Sequence, residues 1–311
     1  MQLQQRINMF GPDLQRRHGQ KVHKLALHGD FTCPNRDGTL GHGGCTFCNV
    51  GSFADEATRH QDIATQLDQQ MRKVDRARRY LAYFQAYTST YAEVVQLREM
   101  YQAALARADI VGLCVGTRPD CVPPAVLDLL AGYREQGYEV WLELGLQSAN
   151  DHTLRKINRG HDFASYRRTA LAARALGLKV CAHLIVGLPS ETHGHVLETL
   201  GAVLATGVDG LKLHPLMVVQ GSTLERVWQR GRIAPLALDD YARTAGELIR
   251  HTPPEVVFHR ISATARRPTL LAPAWCENHW LGMQAVERYL IEHGGQGSAV
   301  GAAWEAGLAA G

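Results

Sequence analysis

The sequence predicts an α/β protein made of six strand–helix units in series, a parallel sheet covered by helices. Two observations carry that prediction. Short apolar runs of β character alternate with longer segments of helical periodicity, and successive runs lie about 30 residues apart, as a βαβ crossover needs. Glycine-rich and polar segments follow each run, where the C-terminal rim of a parallel α/β barrel would place its chemistry.

Taken in order, strands are predicted over 23–28, 80–85, 110–116, 139–146, 179–186 and 209–214. Helical patterns lie near 59–77, 93–106, 123–136, 162–176 and 192–205. Pro123 and Pro124 sit where a helix begins, because proline gives up no needed N–H there. Gly137 and Gly177 each follow a helical segment and suit a left-handed C-cap, and Thr192 is placed to cap the helix after the fifth strand. Past residue 215 the rhythm changes. A helix near 239–251, a short strand over 256–261 and a last helix near 280–293 are expected. The predicted organisation is an N-terminal extension (1–20), a barrel (21–217), a C-terminal extension packing on it (218–293) and a loosely ordered Gly/Ala-rich tail (294–311).

With 311 residues, 45% hydrophobic and 20% charged, the chain suits a globular protein with a full core. A formal charge of +3 permits a nucleic-acid partner without arguing for one. No window approaches the roughly 20 apolar residues of a membrane span, and the first residues carry no apolar signal region. A cytoplasmic protein with no membrane partner is therefore expected. Seven cysteines, odd in number and unevenly spaced, fit reduced thiols and a metal site better than a disulfide framework.

The segment after the first strand carries Cys33, Cys45 and Cys48. Three thiolates can hold an iron–sulfur cluster by three of its four irons, leaving the fourth open to a substrate or cofactor. Zinc is the alternative: Cys45 and Cys48 form one C-x2-C pair, and His28 or His42 offers a fourth ligand beside Cys33. Structural zinc seldom occupies the catalytic rim of such a domain. Gly38, Gly41, Gly43 and Gly44 allow tight bends that bring backbone N–H groups near cluster sulfides. Gln85–Tyr91, Gly116–Asp120, Gly145–Asn150, Gly187–Ser190 and His214–Met217 follow the next five strands.

These cysteines resemble the motif of radical S-adenosylmethionine (SAM) enzymes, with a first gap of eleven residues in place of the usual three. The long gap, with the segments 29–38, 83–91 and 142–148, is similar to the Elongator catalytic-subunit family and its shorter bacterial relatives, the YhcC-like subgroup. The resemblance spans roughly residues 17–290. It implies a partial (βα)6 TIM-like barrel of the radical SAM type with a small C-terminal extension. It also implies a [4Fe–4S] cluster whose open iron chelates SAM, whose cleavage gives a 5′-deoxyadenosyl radical that abstracts hydrogen from an unactivated carbon.

By the same resemblance, Gln147 and Arg159 match a pair that binds the SAM ribose and carboxylate in the related coproporphyrinogen-oxidase branch; a solvated helix arginine is the other reading of Arg159. Gly187 falls in the Val-Gly-Leu-Pro motif that packs beside the adenine. His183 stands where that branch has an acidic ribose ligand, a departure that a buried structural histidine would also explain. The superfamily's Gly-Gly-Glu segment is replaced by Gln85–Thr90, so Gln85 or nearby carbonyls are expected at the SAM amino group. Cys114 and Cys181 read as buried small hydrophobes. Cys276 reads as core or as part of an aromatic cluster over the barrel mouth, and Arg260, Arg266 and Arg267 as phosphate ligands or solvated surface.

The kinship implies wobble-uridine chemistry on tRNA. The chain ends too soon to carry the Elongator family's acetyltransferase domain, so modification of a side chain already built on a tRNA uridine is expected. A small molecule or a protein is the alternative substrate, and flavodoxin or ferredoxin the expected electron donor. A zinc-stabilised nucleic-acid-binding protein without catalysis is the reading from another class.

Overall fold

The computed structural model describes residues 3–49, 51, 56–74 and 77–301. Among these the strands are β1 (Val22–Leu27), β2 (Arg79–Phe84), β3 (Ile110–Thr117), β4 (Glu139–Gln147), β5 (Lys179–Val186), β6 (Gly210–Pro215), β7 (Val218–Val219), β8 (Val257–Arg260) and β9 (Leu270–Ala272). The first six and β8 form one all-parallel sheet in the order β1-β2-β3-β4-β5-β6-β8. β1 and β8 are its two edges and do not pair, so the curled sheet is an open barrel. β7 and β9 make a separate antiparallel pair.

The helices are α1 (Leu3–Arg6), α2 (Phe10–His18), α3 (Ile63–Met71), α4 (Val94–Leu105), α5 (Pro124–Glu135), α6 (Asp151–Lys156), α7 (Phe163–Ala175), α8 (His193–Leu204), α9 (Thr223–Gln229), α10 (Leu238–Arg250) and α11 (His279–His293). Local chemistry sets their ends. Pro124 opens α5. Gly137 (φ 91°) and Gly177 (φ 71°) turn the chain into β4 and β5 through the left-handed region. Thr192 accepts from the His195 backbone, and the His195 side chain answers, a full capping box on α8.

Three expectations need correction. The helix expected over 59–77 is shorter: Asp62 accepts from the Thr65 backbone at 2.8 Å and starts α3 there, and residues 75–76 lie outside the described set. The strand expected over 256–261 does not belong to an extension packed on the barrel. It pairs with β6 as a seventh strand, with α10 as its crossover. Of the tail expected to be loose, residues 294–301 are tied down: the Gln296 amide donates to the carbonyls of Pro253 (2.7 Å) and Val256 (2.8 Å) and accepts from the Asn8 backbone (2.8 Å). Residues 302–311 lie outside the described set.

The strands alternate. One set of side chains, including Leu25, Leu27, Phe84, Leu142, Leu144, Leu184, Leu211 and Phe258, is buried in the main core with the helices. The other set points into the barrel and is mixed. Val22, Leu81, Trp141 and Val257 are apolar and pack with Phe10 and Leu14 of α2. Lys24, Glu143, His183, Lys212 and His259 are charged or titratable and bond to one another. A parallel sheet is ordinarily apolar on both faces; here the polar inner side chains satisfy one another within the barrel lumen. The N-terminal residues plug the lower end of this lumen. The Phe258 N–H donates to the Asn8 carbonyl (2.8 Å), and Phe10 stacks on His259 with ring centroids 3.9 Å apart. No helix among the described residues is long and apolar enough to cross a membrane.

Candidate active site

The upper rim of the barrel surrounds a cavity of about 280 Å³. Cys33, Cys45, Cys48, Gln85, Gln147, Arg159 and His183 all line it. Gly187 does not. Its left-handed backbone (φ 94°) leaves room instead for Leu236, whose Cγ stands 3.0 Å from where a Cβ would project, with Leu216 of the cavity wall at 3.8 Å.

The cysteine loop is folded back on itself and docked. The Arg36 and Asp37 backbones donate to the Cys33 carbonyl (2.7 and 3.1 Å), and the Gly44 N–H reaches the Asn35 carbonyl at 2.8 Å. The Arg36 guanidinium donates to the Cys48 carbonyl (2.8 Å). These bonds close the eleven-residue gap, with Gly43 and Gly44 (φ 81° and 80°) supplying the turn. Asn35 then fixes the loop to the chain after α6 by donating to the Asn158 and Arg159 carbonyls (2.7 and 3.1 Å), while Asn158 donates back to Gly44 (2.9 Å). The Leu224 N–H of α9 donates to the Thr46 carbonyl at 2.9 Å on the other side.

All three cysteines are unpaired. Their sulfurs do not all fall within 4.8 Å of one another, and neither His28 nor His42 joins them in such a group. A closed tetrahedral zinc site, with Zn–S near 2.3 Å, would bring its ligand atoms to roughly 4 Å apart. Three thiolates on one loop could each take a different iron of a cluster. Burial, then the neighbouring Cys45, pushes the Cys48 thiol up, and Arg36 opposes both. Iron in place of the proton removes that penalty.

Arg159 is buried and committed. Its Nε and Nη2 donate to the Gly145 carbonyl at the end of β4, and Nη1 faces the Cys45 sulfur at 3.4 Å. Gly145 exists to admit it: a Cβ there would sit 2.8 Å from Arg159 Nη2 and 3.1 Å from Gln147 Nε2. Gln147 itself holds φ 83°, unusual for a residue with a side chain, where the β4–β5 register slips. Arg118, which the motif reading passed over, is the complementary case. Its Nε and Nη2 hold Asp120 (3.0 and 2.8 Å), but Nη1 is buried without a partner among the described residues. A buried guanidinium N–H left open at the edge of a cavity is a donor available to a ligand.

His183 donates from Nε2 to Glu143 Oε2 at 2.8 Å. Burial, with Lys212 next, lowers its pKa to about 4, so the ring is neutral and the hydrogen bond fixes its tautomer. Glu143 is fully buried and saturated: Lys24 and His259 (3.2 Å) on Oε1, His183 and Lys212 (3.2 Å) on Oε2. Lysines on both oxygens hold its carboxyl well below the usual range against burial. Lys212 also donates to the Tyr83 hydroxyl at 2.7 Å. Glu143, Cys181 and His183 lie close enough to hold a metal ion. Two ammonium groups already at the carboxylate, and a Cys181 thiol pushed well up by burial, disfavour a cation there.

Sequence reading missed this network. Its signal was present: single charged residues inside apolar strands, Lys24 in Val-His-Lys-Leu-Ala-Leu, Glu143 in Trp-Leu-Glu-Leu and Lys212 in Leu-Lys-Leu. Cys114 and Cys181 are buried in the barrel as expected. Cys276 is core, packed with Ala265 and Leu270, and burial pushes its thiol to about 12. Arg260 lines the cavity, whereas Arg267 pairs with Glu277 (3.0 Å) on the surface.

Comparison with known proteins agrees with this geometry. The Radical SAM superfamily profile matches residues 37–203, and the Radical_SAM C-terminal domain profile matches residues 208–292. Protein YhcC of Escherichia coli K12 is 68% identical over 304 residues, 98% of each chain. The tRNA uridine(34) acetyltransferase of Dehalococcoides mccartyi is 31% identical over 154 residues, 49% of this chain and 33% of that one. Among solved structures, the archaeal Methanocaldococcus infernus Elp3 superposes with a TM-score of 0.62 at 18% identity, covering 87% of this chain and 63% of that one, which shows a shared fold. With its cysteine loop at the rim of an open parallel barrel, the chain belongs to the radical SAM superfamily, whose members use a [4Fe–4S] cluster and SAM.

Proposed function

We propose that this radical SAM enzyme modifies the side chain of a wobble uridine in tRNA. The observation that carries the catalytic part is the convergence of Cys33, Cys45 and Cys48 with Gln147 and His183 on one cavity at the strand ends. When bound there, the cluster and SAM supply a carbon radical able to take hydrogen from an unactivated position.

The chain's own residues would bind, orient and shield. Cys33, Cys45 and Cys48 would hold three irons, with the Arg159 N–H directed at Cys45. Gln147 and Gln85 would meet the polar atoms of SAM, and Arg118, with its open Nη1, is better placed than the committed Arg159 to grip a carboxylate. His183 gives its N–H to Glu143, which leaves Nδ1 as an acceptor. A neutral histidine fixed in this way would do the work of the acidic ribose ligand it replaces. Gly187 would act indirectly, by letting Leu236 pack behind the Leu216 wall.

The tRNA part rests on the partial similarity to the tRNA uridine(34) acetyltransferase. The cavity fits a nucleotide's surroundings, since among the described residues five cationic side chains and no carboxylate line it. Seven unpaired cysteines suit a reducing cytoplasm, where flavodoxin or ferredoxin would supply the electron. The test is anaerobic incubation of the reconstituted enzyme with SAM and tRNA from cells lacking the protein, followed by nucleoside mass spectrometry. A mass change confined to a wobble uridine is expected, with tRNA affinity that weakens steeply as salt rises. An unchanged nucleoside profile, with affinity insensitive to salt, would rule out tRNA as substrate.

A further inference from the structure

Charge in the cavity does not balance. Five cations line it: Arg36, Arg118, Arg159, Lys212 and Arg260. No aspartate or glutamate lines it among the described residues. Arg36 and Arg159 are turned to the cysteine loop, and Arg118 is held by Asp120. Lys212 and Arg260 belong to the other wall, on β6 and β8. Lys212 shares a single carboxylate, Glu143, with Lys24. Lys24 is enclosed by Glu143, His259 and the faces of Phe10 and Tyr83 and does not line the cavity. Lys212 does line it, with one N–H to Tyr83, one to Glu143 and the third without a partner among the described residues. Arg260 has no carboxylate partner among the described residues. His214, the remaining titratable group on this wall, is kept uncharged by burial and by Arg260, then Lys212.

The cofactors do not supply the missing charge. Three thiolates on a dipositive cluster would leave one formal negative charge, and SAM, its amino group neutral when bound to iron, would add none, so the pair would offset only one of the five cations, on the side of Arg36 and Arg159. Lys212 is buried and has only a shared carboxylate, and Arg260, its register partner on β8, is exposed at the cavity and has none among the described residues; an anionic ligand would offset the repulsion between the two.

We infer that Lys212 and Arg260, with the Tyr83 hydroxyl and His214 beside them, form a subsite for an acidic group on the substrate, a carboxylate or a phosphate, separate from the residues that hold SAM. This rests on the reading of the cavity as the reaction chamber, and it narrows the substrate: the portion that enters carries a negative charge. Guanidinium and ammonium groups side by side are the usual means of fixing such a group. Held there, the acidic group would orient the neighbouring carbon toward the middle of the cavity.

The test uses the cluster-loaded protein with saturating SAM, kept anaerobic. Radiolabelled acetate and inorganic phosphate are titrated separately by equilibrium dialysis at constant ionic strength, for wild type, R260M, R260K and K212M. SAM affinity and 5′-deoxyadenosine formation are measured on the same preparations. One saturable anion per chain is expected, about tenfold weaker in R260M and K212M and largely kept in R260K, with SAM affinity unchanged in R260M and R260K, whose side chain touches none of the residues assigned to SAM. Tighter binding of acetate assigns a carboxylate, and tighter binding of phosphate a phosphate ester. Absence of saturable binding, or equal binding by all four proteins, overturns the subsite. Loss of SAM affinity in parallel with anion binding also overturns it, because the cations would then belong to the SAM site. A protein that cleaves SAM yet binds no anion refutes the subsite alone; one that cleaves no SAM refutes the reaction chamber itself.

Discussion

Glu143 shows how much a single residue organises here. Four side chains from β1, β5, β6 and β8 meet its two oxygens, so one carboxylate links strands from both edges of an open sheet. The cost of burying it is met by two lysines, and the reverse also holds: without it, Lys24 and Lys212 would face each other across the barrel. Glu143→Gln preserves shape and removes the charge. It is expected to destabilise the fold by about 3–5 kcal/mol, the usual consequence of leaving a buried charge unpaired, and urea unfolding would measure it. A loss below about 1 kcal/mol would mean that water reaches the lysines. At this scale the sequence was legible where chemistry is carried by residue type and spacing, as with Cys33, Cys45 and Cys48. It was not legible where geometry decides. Arg159 and Arg118 are both arginines near glycines, and nothing in their spacing tells that one is committed to Gly145 while the other keeps an open N–H.

At the scale of elements, close strand approach and helix caps do the work. Gly112 in β3 lies against β4 so tightly that a Cβ would stand 1.9 Å from the Glu139 carbonyl oxygen. Gly132, on α5, has nothing within 4 Å of that position. The same substitution should therefore act with opposite signs. Gly112→Ala is expected to cost at least about 2 kcal/mol by forcing the strands apart, and Gly132→Ala to stabilise by roughly 0.5–1 kcal/mol through helix propensity; thermal unfolding distinguishes them. If Gly112→Ala were neutral, the described β3–β4 register would be wrong. Strands β1 to β6 were readable because apolar runs of this length, spaced by helices, have few other solutions. The short helices α2, α6 and α9 escaped because six to nine residues show too little of any period, whereas β8 was expected as a strand but not as the seventh member of the sheet.

For the whole molecule, the parts converge on the rim. The open barrel leaves β1 and β8 unpaired with each other, α2 closes its lower end, and the cysteine loop bends over its upper end. The cavity that remains has a sulfur-lined wall and a cationic wall. Fold and cofactor class could be read from the chain because several motifs fall in order at successive strand ends. The lumen network could not, because it exists only once seven strands curl and bring residues as distant as Lys24 and His259 within 3.1 Å. The central claim is that three cysteines hold a cluster at which SAM is cleaved. The most direct measurement is anaerobic iron–sulfur reconstitution, reduction in the presence of SAM, and chromatographic quantification of 5′-deoxyadenosine. The wild-type chain is predicted to form it, and the folded Cys33→Ala, Cys45→Ala and Cys48→Ala variants to form none. A wild-type protein that takes up only zinc and yields no 5′-deoxyadenosine would contradict the account, as would any of the three variants with an undiminished yield.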